Sequence, residues 1–425
     1  MAKIAPLKAF IYNQDKVKDL AKVVCPPYDV ISPAQQQSFL DSSPYNLIHV
    51  LLSKDIPGDD KYQRAGRYFK DWINEKVFVR DEKPAVYFYK QQYNLKGEKR
   101  ERLGFIALLR LEEKNSCVFG HEHTRLEPKE DRLMLLRQVK ANLSPIFAIF
   151  SDRHRIIQQT YHKYIQNKKP FIDITDSENI AHKLWRLDSP DIVSGIQNKM
   201  ADEVIFIADG HHRYEVACAY REEMKKKSGG LTGAEGVNYI LAYFTNTDLR
   251  GLTIMPIHRL VKLDSGFDME KFRLAVREYF DIEQIKDKAK FFFLMQKAGS
   301  AEHVIGMYRE KKFWLLRLKN ARILDKIITD KQKEYRLLDV SILNYMILNR
   351  ALGLDIENKE KIVFNHNPDE LIEQVDDQNC AIAFFLNPAK TQQIMSIALT
   401  GEKMPSKSTY FYPKVLSGLV INKLE

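Results

Sequence analysis

The stretch Val204–Glu215, VIFIADGHHRYE, decides how this chain reads. Its apolar run, Val204 to Ala208, stops at Asp209-Gly210. The period then changes: Tyr214, Ala217, Cys218 and Met224 fall near helical spacing, and Lys225-Lys226-Lys227 followed by Gly229-Gly230 closes the segment. The pattern predicts a buried strand, a tight turn and a helix. The first turn of a helix carries N–H groups without intrahelical partners and the positive end of the helix dipole, so it favours anions. Gly210 allows the turn and a close approach of backbone to ligand. Arg213 offers a planar fork suited to phosphate, and His211 and His212 can donate, accept or transfer protons. The stretch therefore predicts a phosphate-handling turn. The plainer alternative is a strand–helix junction with ordinary surface His and Arg residues.

Other stretches carry similar chemistry. In Val118–Thr124, VFGHEHT, an extended backbone would put His121 and His123 on one face and Glu122 on the other. Glu122 is a candidate general base. The histidine pair could bind metal, but no further ligands stand at a matching spacing, so a metal is left unassigned. Pro128 opens a predicted helix in which Arg132 sits near the polar start, within reach of an anion or of a surface partner. Near the N-terminus, Pro26-Pro27 enforces an extended backbone before Tyr28 and Asp29. Those two residues face a site, or the segment is only a rigid lead into the helix start Ser32-Pro33. Ile257-His258-Arg259 is a second His-Arg candidate for phosphate or an exposed pair. Ser406, Lys407, Ser408 and Thr409 supply three hydroxyls and an ammonium, which suits a substrate oxyanion, and Lys414 adds a cation. The alternative there is a plain turn before a final strand.

The 425 residues suggest more than one domain. We expect a core over residues 1–265, a smaller α+β unit over 266–335, and a C-terminal segment, 336–425, that returns to the core. Strands are expected at Tyr45–Leu52, Ala85–Tyr93, Arg102–Arg110, Ser144–Phe150, Tyr239–Phe244, Phe291–Met295, Val304–Tyr308, Phe313–Leu318 and Ala381–Leu386, and residues 336–363 read as helical. With 44% hydrophobic and 29% charged residues, the composition is that of a globular protein with a substantial core. The net charge of +10 fits phosphorylated ligands, but the basic residues are scattered, so nucleic acid is not the expected partner. Cys25, Cys117, Cys218 and Cys380 are far apart and form no metal spacing, which points to reduced thiols and a cytoplasmic location. No apolar run is long enough for a membrane span. The absence of GxGxxG, GxSxG and HExxH argues against a Rossmann dehydrogenase, an α/β-hydrolase and a zincin.

Taken in order, PPYDVIS, HEHT with PKEDR, ADGHHRYE, MPIHR and MPSKSTYFYPK resemble the family called domain of unknown function 1015. The ADGHHRYE turn also resembles the phosphate turn of the ParB and sulfiredoxin superfamily, which includes ADP-dependent free-serine kinases. That resemblance implies a ParB/sulfiredoxin-like mixed α/β core with a smaller α+β C-terminal unit. It places Gly210, His211, His212 and Arg213 on phosphate and has Asp209 orient the site or a metal ion; Arg132 joins the phosphate contacts from its place near a helix start. Sulfiredoxin has a cysteine in its turn where this chain has histidine, and the helix-turn-helix segments of ParB are not found here. The implied function is a nucleotide-dependent phosphotransferase acting on serine, phosphoserine or a similar small hydroxylated metabolite, with Mg²⁺ and ADP or ATP. Catalytic roles fall to Glu122, Asp209 and His212, and substrate contacts to Tyr28, Asp29, Ser406, Lys407, Ser408 and Thr409. The alternatives are a ParB-like nucleotide-binding switch without catalysis and a metal-dependent phosphohydrolase.

Overall fold

The alternating residues on either side of Lys96-Gly97 form an antiparallel hairpin, Val86–Leu95 against Glu98–Arg110. Both turn residues have positive φ, 51° and 82°, the geometry whose twist matches the flanking strands. The hairpin lies within a nine-stranded mixed sheet in this computed structural model, which describes residues 2–112, 117–124, 126–233, 235–247, 251–264, 266–355, 360–377 and 381–424. Its strands are β1 (Ile4–Ala5), β2 (Val86–Leu95), β3 (Glu98–Arg110), β4 (Val118–Gly120), β5 (Ile146–Phe150), β6 (Ile172–Thr175), β7 (Ala181–Leu187), β8 (Ile205–Asp209) and β9 (Tyr239–Asn246). They run in the order β4-β8-β5-β9-β3-β2-β7-β6, with β1 also paired to β3. The pairs β4–β8 and β5–β9 are parallel and the others antiparallel. Phe88, Phe105, Phe150 and Phe244 meet on one face of the sheet, where Ile156, Val193, Ile196 and Met200 from two helices complete the core.

This sheet belongs to a first compact unit made of Met1–Gly120, Thr124–Thr253 and Pro413–Glu425. The second unit comprises His121–His123 and Ile254–Tyr412. Its sheet has six strands: β10 (His258–Lys262), β11 (Phe280–Ile285), β12 (Val304–Arg309), β13 (Lys312–Leu318), β14 (Ile362–Asn365) and β15 (Ala381–Phe385), in the order β11-β13-β12-β15-β10-β14. Both units mix helices and sheet, so the fold is mixed α+β. Residues 254–265 fall in the second unit because β10 is an inner strand of its sheet, between β15 and β14. Of the segment 336–425, the part up to Tyr412 is in the second unit and the remainder in the first. There Asn422–Lys423 pairs with Ala141–Asn142, and Ile421 bridges Phe10.

Two expected strands are helical. In Tyr45–Leu52, the Asn46 side chain accepts the Ile48 N–H at 2.9 Å and a short helix, Ile48–Leu51, follows. Phe291–Met295 lies inside the helix Lys288–Ala298, capped by Asp287, whose carboxylate accepts the Lys290 N–H at 2.6 Å. Short apolar runs do not separate strand from helix; an Asn46 side-chain turn precedes the first helix and an Asp287 cap starts the second. Of residues 336–363, 339–342 and 343–351 are helical, Arg336 ends a further turn, and Ile362 begins β14, while 356–359 lie outside the described residues. Cys25, Cys117 and Cys218 are free thiols, and Cys380 lies outside the described residues. No helix among the described residues is long and apolar enough to cross a membrane.

Candidate functional site

The turn expected at Asp209 forms as β8, Gly210 and an 18-residue helix, His211–Ser228. The register of β8 against β5 shifts between Ile207 and Asp209, an irregularity that re-aims the end of the strand. Gly210 has φ 91° and ψ 28°, in the left-handed region. A Cβ at Gly210 would lie 2.9 Å from the Arg213 guanidinium, so glycine is required both for the backbone and for that side chain. The helix packs against Leu126–Val139 through Leu136, Val216 and Tyr220 and ends at Gly229, again with positive φ.

Asp209 is the electrostatic centre of the turn. Its Oδ2 accepts from Arg213 at 2.6 Å, and its Oδ1 accepts from the Lys414 ammonium. Burial by itself would raise the Asp209 pKa. The charges of Lys414 and Arg213, with His211 adding to them, outweigh that and hold the carboxyl well below its usual range. The other arm of Arg213 donates to the Pro145 carbonyl. The Arg213 fork is thus engaged by Asp209 and by the chain between β5 and the preceding strand. His211 is buried and His212 half-buried.

Arg132, which the sequence left between anion contact and surface pair, is buried. It donates to Asp131 and to the Leu51 carbonyl, and its guanidinium lies 4.3 Å from the centre of the Tyr28 ring. Burial and Asp29 raise the Tyr28 pKa, while Arg132 and Arg213 oppose them and Asp209 also acts on it. The PPYD and ADGHHR motifs thus share one electrostatic neighbourhood in the first unit, in which Asp29 is exposed. The C-terminal segment supplies Lys414. It is held by fully buried Arg102, which donates to the Gln91 side-chain oxygen and the Pro413 carbonyl, while the Gln91 amide donates to the Lys414 carbonyl at 2.9 Å. Sequence reading counted Lys414 as a cation beside Ser406–Thr409 and gave Arg102 no role. The clue to Arg102 was an arginine opening an otherwise apolar strand.

Glu122, His121 and Ser406–Thr409 belong to the second unit. Glu122 is half-buried and bridges Met404, whose N–H donates to the His121 carbonyl at 2.7 Å. The His121 ring lies 3.3 Å from the Thr409 hydroxyl, which joins the HEHT and MPSKST motifs. His121 is buried whereas His123 is exposed. Among the described residues no group of three or more His, Cys, Asp or Glu is arranged to hold a metal ion. Ser408 donates to the Pro405 carbonyl, and Lys407 is exposed with φ 55°. The pair read as a second phosphate contact is interior: Arg259 is buried and donates to the carbonyls of Ile257 and Lys407, and His258 Nδ1 accepts the Leu386 N–H at 3.1 Å. The two terminal nitrogens of Arg259 end on carbonyls and tie its strand to the turn at Lys407.

The model of a family described as a protein of unknown function, DUF1015, matches residues 4–341, and the chain belongs to that family. No curated protein matches it in sequence. Among solved structures it is similar to a free serine kinase variant in complex with ADP, at 11% identity and a TM-score of 0.37, over 75% of this chain and 92% of that one. It is also similar to a conserved hypothetical protein from Pyrococcus furiosus (12% identity, TM-score 0.33, 73% and 92% covered). A third is SbnI with a C-terminal truncation from Staphylococcus aureus (10% identity, TM-score 0.38, 74% and 86% covered). Likeness at this level does not transfer an activity.

Proposed function

We propose that this protein is a nucleotide-dependent phosphotransferase acting on a small hydroxylated metabolite such as serine or phosphoserine, on a ParB/sulfiredoxin-like core. The observation that carries the reading is the turn itself. A left-handed glycine opens a long helix, and two cations, Arg213 and Lys414, are fixed beside its first turn by one carboxylate. Two cations against one anion leave a net positive charge where helix N–H groups also favour phosphate. Phosphoryl transfer is accelerated mainly by positioning and charge stabilisation, which such a turn supplies.

In this reading Gly210, His211, His212 and Arg213 hold the nucleotide phosphates, Arg132 and Tyr28 line the approach, and His212 moves a proton. Asp209 holds its two cations in place. Magnesium does not fit on Asp209, because both carboxylate oxygens already face cations. Glu122 as base and Ser406–Thr409 as substrate contacts rest on residue type and motif.

Phosphorus NMR of the protein with Mg²⁺, phosphoserine and ADP, then with serine and ATP or ADP, tests the reading. Gain of one nucleotide resonance matched by loss of the phosphoserine signal, or the reverse, supports transfer. Free phosphate with unchanged nucleotide would replace it with hydrolysis, and broadened nucleotide lines without turnover with a binding switch. His212→Ala and Glu122→Gln are expected to lose transfer while keeping the wild-type melting temperature, and unchanged rates in both would sink those roles.

A further inference from the structure

A polar cavity of about 240 Å³ lies wholly within the second unit. Its apolar wall is Ile257, Leu338, Val340 and Leu386, all buried. Against that wall stands a His–Asp pair: His303 Nδ1 is 2.9 Å from Asp339 Oδ1. His303 immediately precedes β12, and Asp339 opens the helical turn 339–342, so both ends of the pair are anchored in regular structure. When Asp339 accepts the Nδ1 proton, Nε2 becomes the acceptor nitrogen.

Of the cavity's acids, Asp339 accepts from His303, and Glu302 pairs with Arg317 at 2.8 Å. Lys390 has no carboxylate within ion-pair distance among the described residues; its ammonium reaches only the Ser300 carbonyl, at 3.3 Å. Asn387 and Ser408 add an amide and a hydroxyl to the lining. A Cβ at Gly299 would come within 2.2 Å of the Asn387 amide nitrogen and displace that side chain. Ser408 brings the MPSKST motif to this cavity, a placement independent of the turn at Asp209.

We propose that this cavity binds a small organic anion that also carries a hydroxyl, with its carboxylate or phosphate on Lys390 and its hydroxyl donating to His303 Nε2. A cation with only a long carbonyl contact gains from a charge-assisted bond to such a ligand, and the oriented imidazole distinguishes hydroxylated ligands from plain anions.

Calorimetric titration of the full chain with malate, succinate and glycerol 3-phosphate tests this. Malate or glycerol 3-phosphate is expected to bind, the stronger of the two identifying the anionic group, and malate to bind more tightly than succinate, which lacks the hydroxyl. Lys390→Met, at an exposed position, should weaken binding roughly tenfold, the loss of one charge-assisted contact. His303→Ala should erase the preference for malate over succinate, and Ala301→Trp, also at an exposed lining residue, should abolish binding by filling the space. ADP binding, measured in parallel, should be unchanged in all three variants, which separates this site from the nucleotide reading. Absence of binding by all three anions at millimolar concentration would overturn the proposal. So would wild-type affinity in Lys390→Met and Ala301→Trp, or equal affinity of the wild-type protein for malate and succinate.

Discussion

In the first unit, Asp209 draws Arg213 and Lys414 together, one carboxylate between two cations. In the second unit, Arg259 is more deeply buried, and its terminal nitrogens meet backbone carbonyls while its guanidinium lies over the face of Phe364, 4.5 Å from its ring centre. Burial pushes the Asp209 pKa up and its cations pull it down further, whereas burial of Arg259 goes unopposed and lowers its pKa to about 9. Both arginines follow the same sequence pattern, a histidine and then an arginine after an apolar run. One became part of an ion cluster because a carboxylate lies four residues before it; the other became a clamp on carbonyls, with no acid at ion-pair distance among the described residues. Two cations that share one anion depend on it, while a carbonyl-bound cation is held by several weaker contacts.

The largest test of this contrast is Asp209→Asn, which leaves two poorly exposed cations without their anion. Urea unfolding at pH 7 is expected to show a loss of about 3 kcal/mol or more. Arg259→Met removes the desolvated charge together with its carbonyl contacts, so the two effects oppose each other and the expected loss is about 1–2 kcal/mol by the same measurement. A larger loss for Arg259→Met than for Asp209→Asn would break the comparison. Gly210→Ala forces an L side chain to φ 91° against Arg213, with an expected loss of about 1–2 kcal/mol and weaker nucleotide binding.

The pH dependence sharpens the contrast further. Asp209 holds its proton less tightly in the fold than in the unfolded chain, so its contribution is complete above the ordinary carboxylate range and disappears as pH falls through and below it. The stability gap between wild type and Asp209→Asn should therefore be constant near neutrality and narrow below about pH 4, whereas the gap for Arg259→Met should not follow that acid transition. Unfolding midpoints at neutral and acid pH measure both.

Much of the first unit's turn was legible. The strand, the break at Gly210 and the helix to Ser228 follow from a change of hydrophobic period and the special role of glycine, both local properties. Pro33 after Ser32 likewise set a helix start, and the structure shows a full capping box there, with Ser32 and Gln35 exchanging hydrogen bonds. Less local features were not. Phe291–Met295 has an apolar run that serves strand or helix equally, and the Asp287 cap settles it. The His303–Asp339 pair is separated by 36 residues and carries no spacing signal.

The sequence by itself determined where the chain turns and which residues at the turn are chemically able, because backbone preference and side-chain chemistry are carried by neighbours along the chain. Only the tertiary structure decided what those residues face. It brought Lys414 to Asp209 across 205 positions, buried Arg259 beneath its own loop, and set Lys390 on a cavity with His303 and Asp339. Desolvation and ion pairing depend on distances in space, which the packing within each unit fixes and which no local pattern encodes.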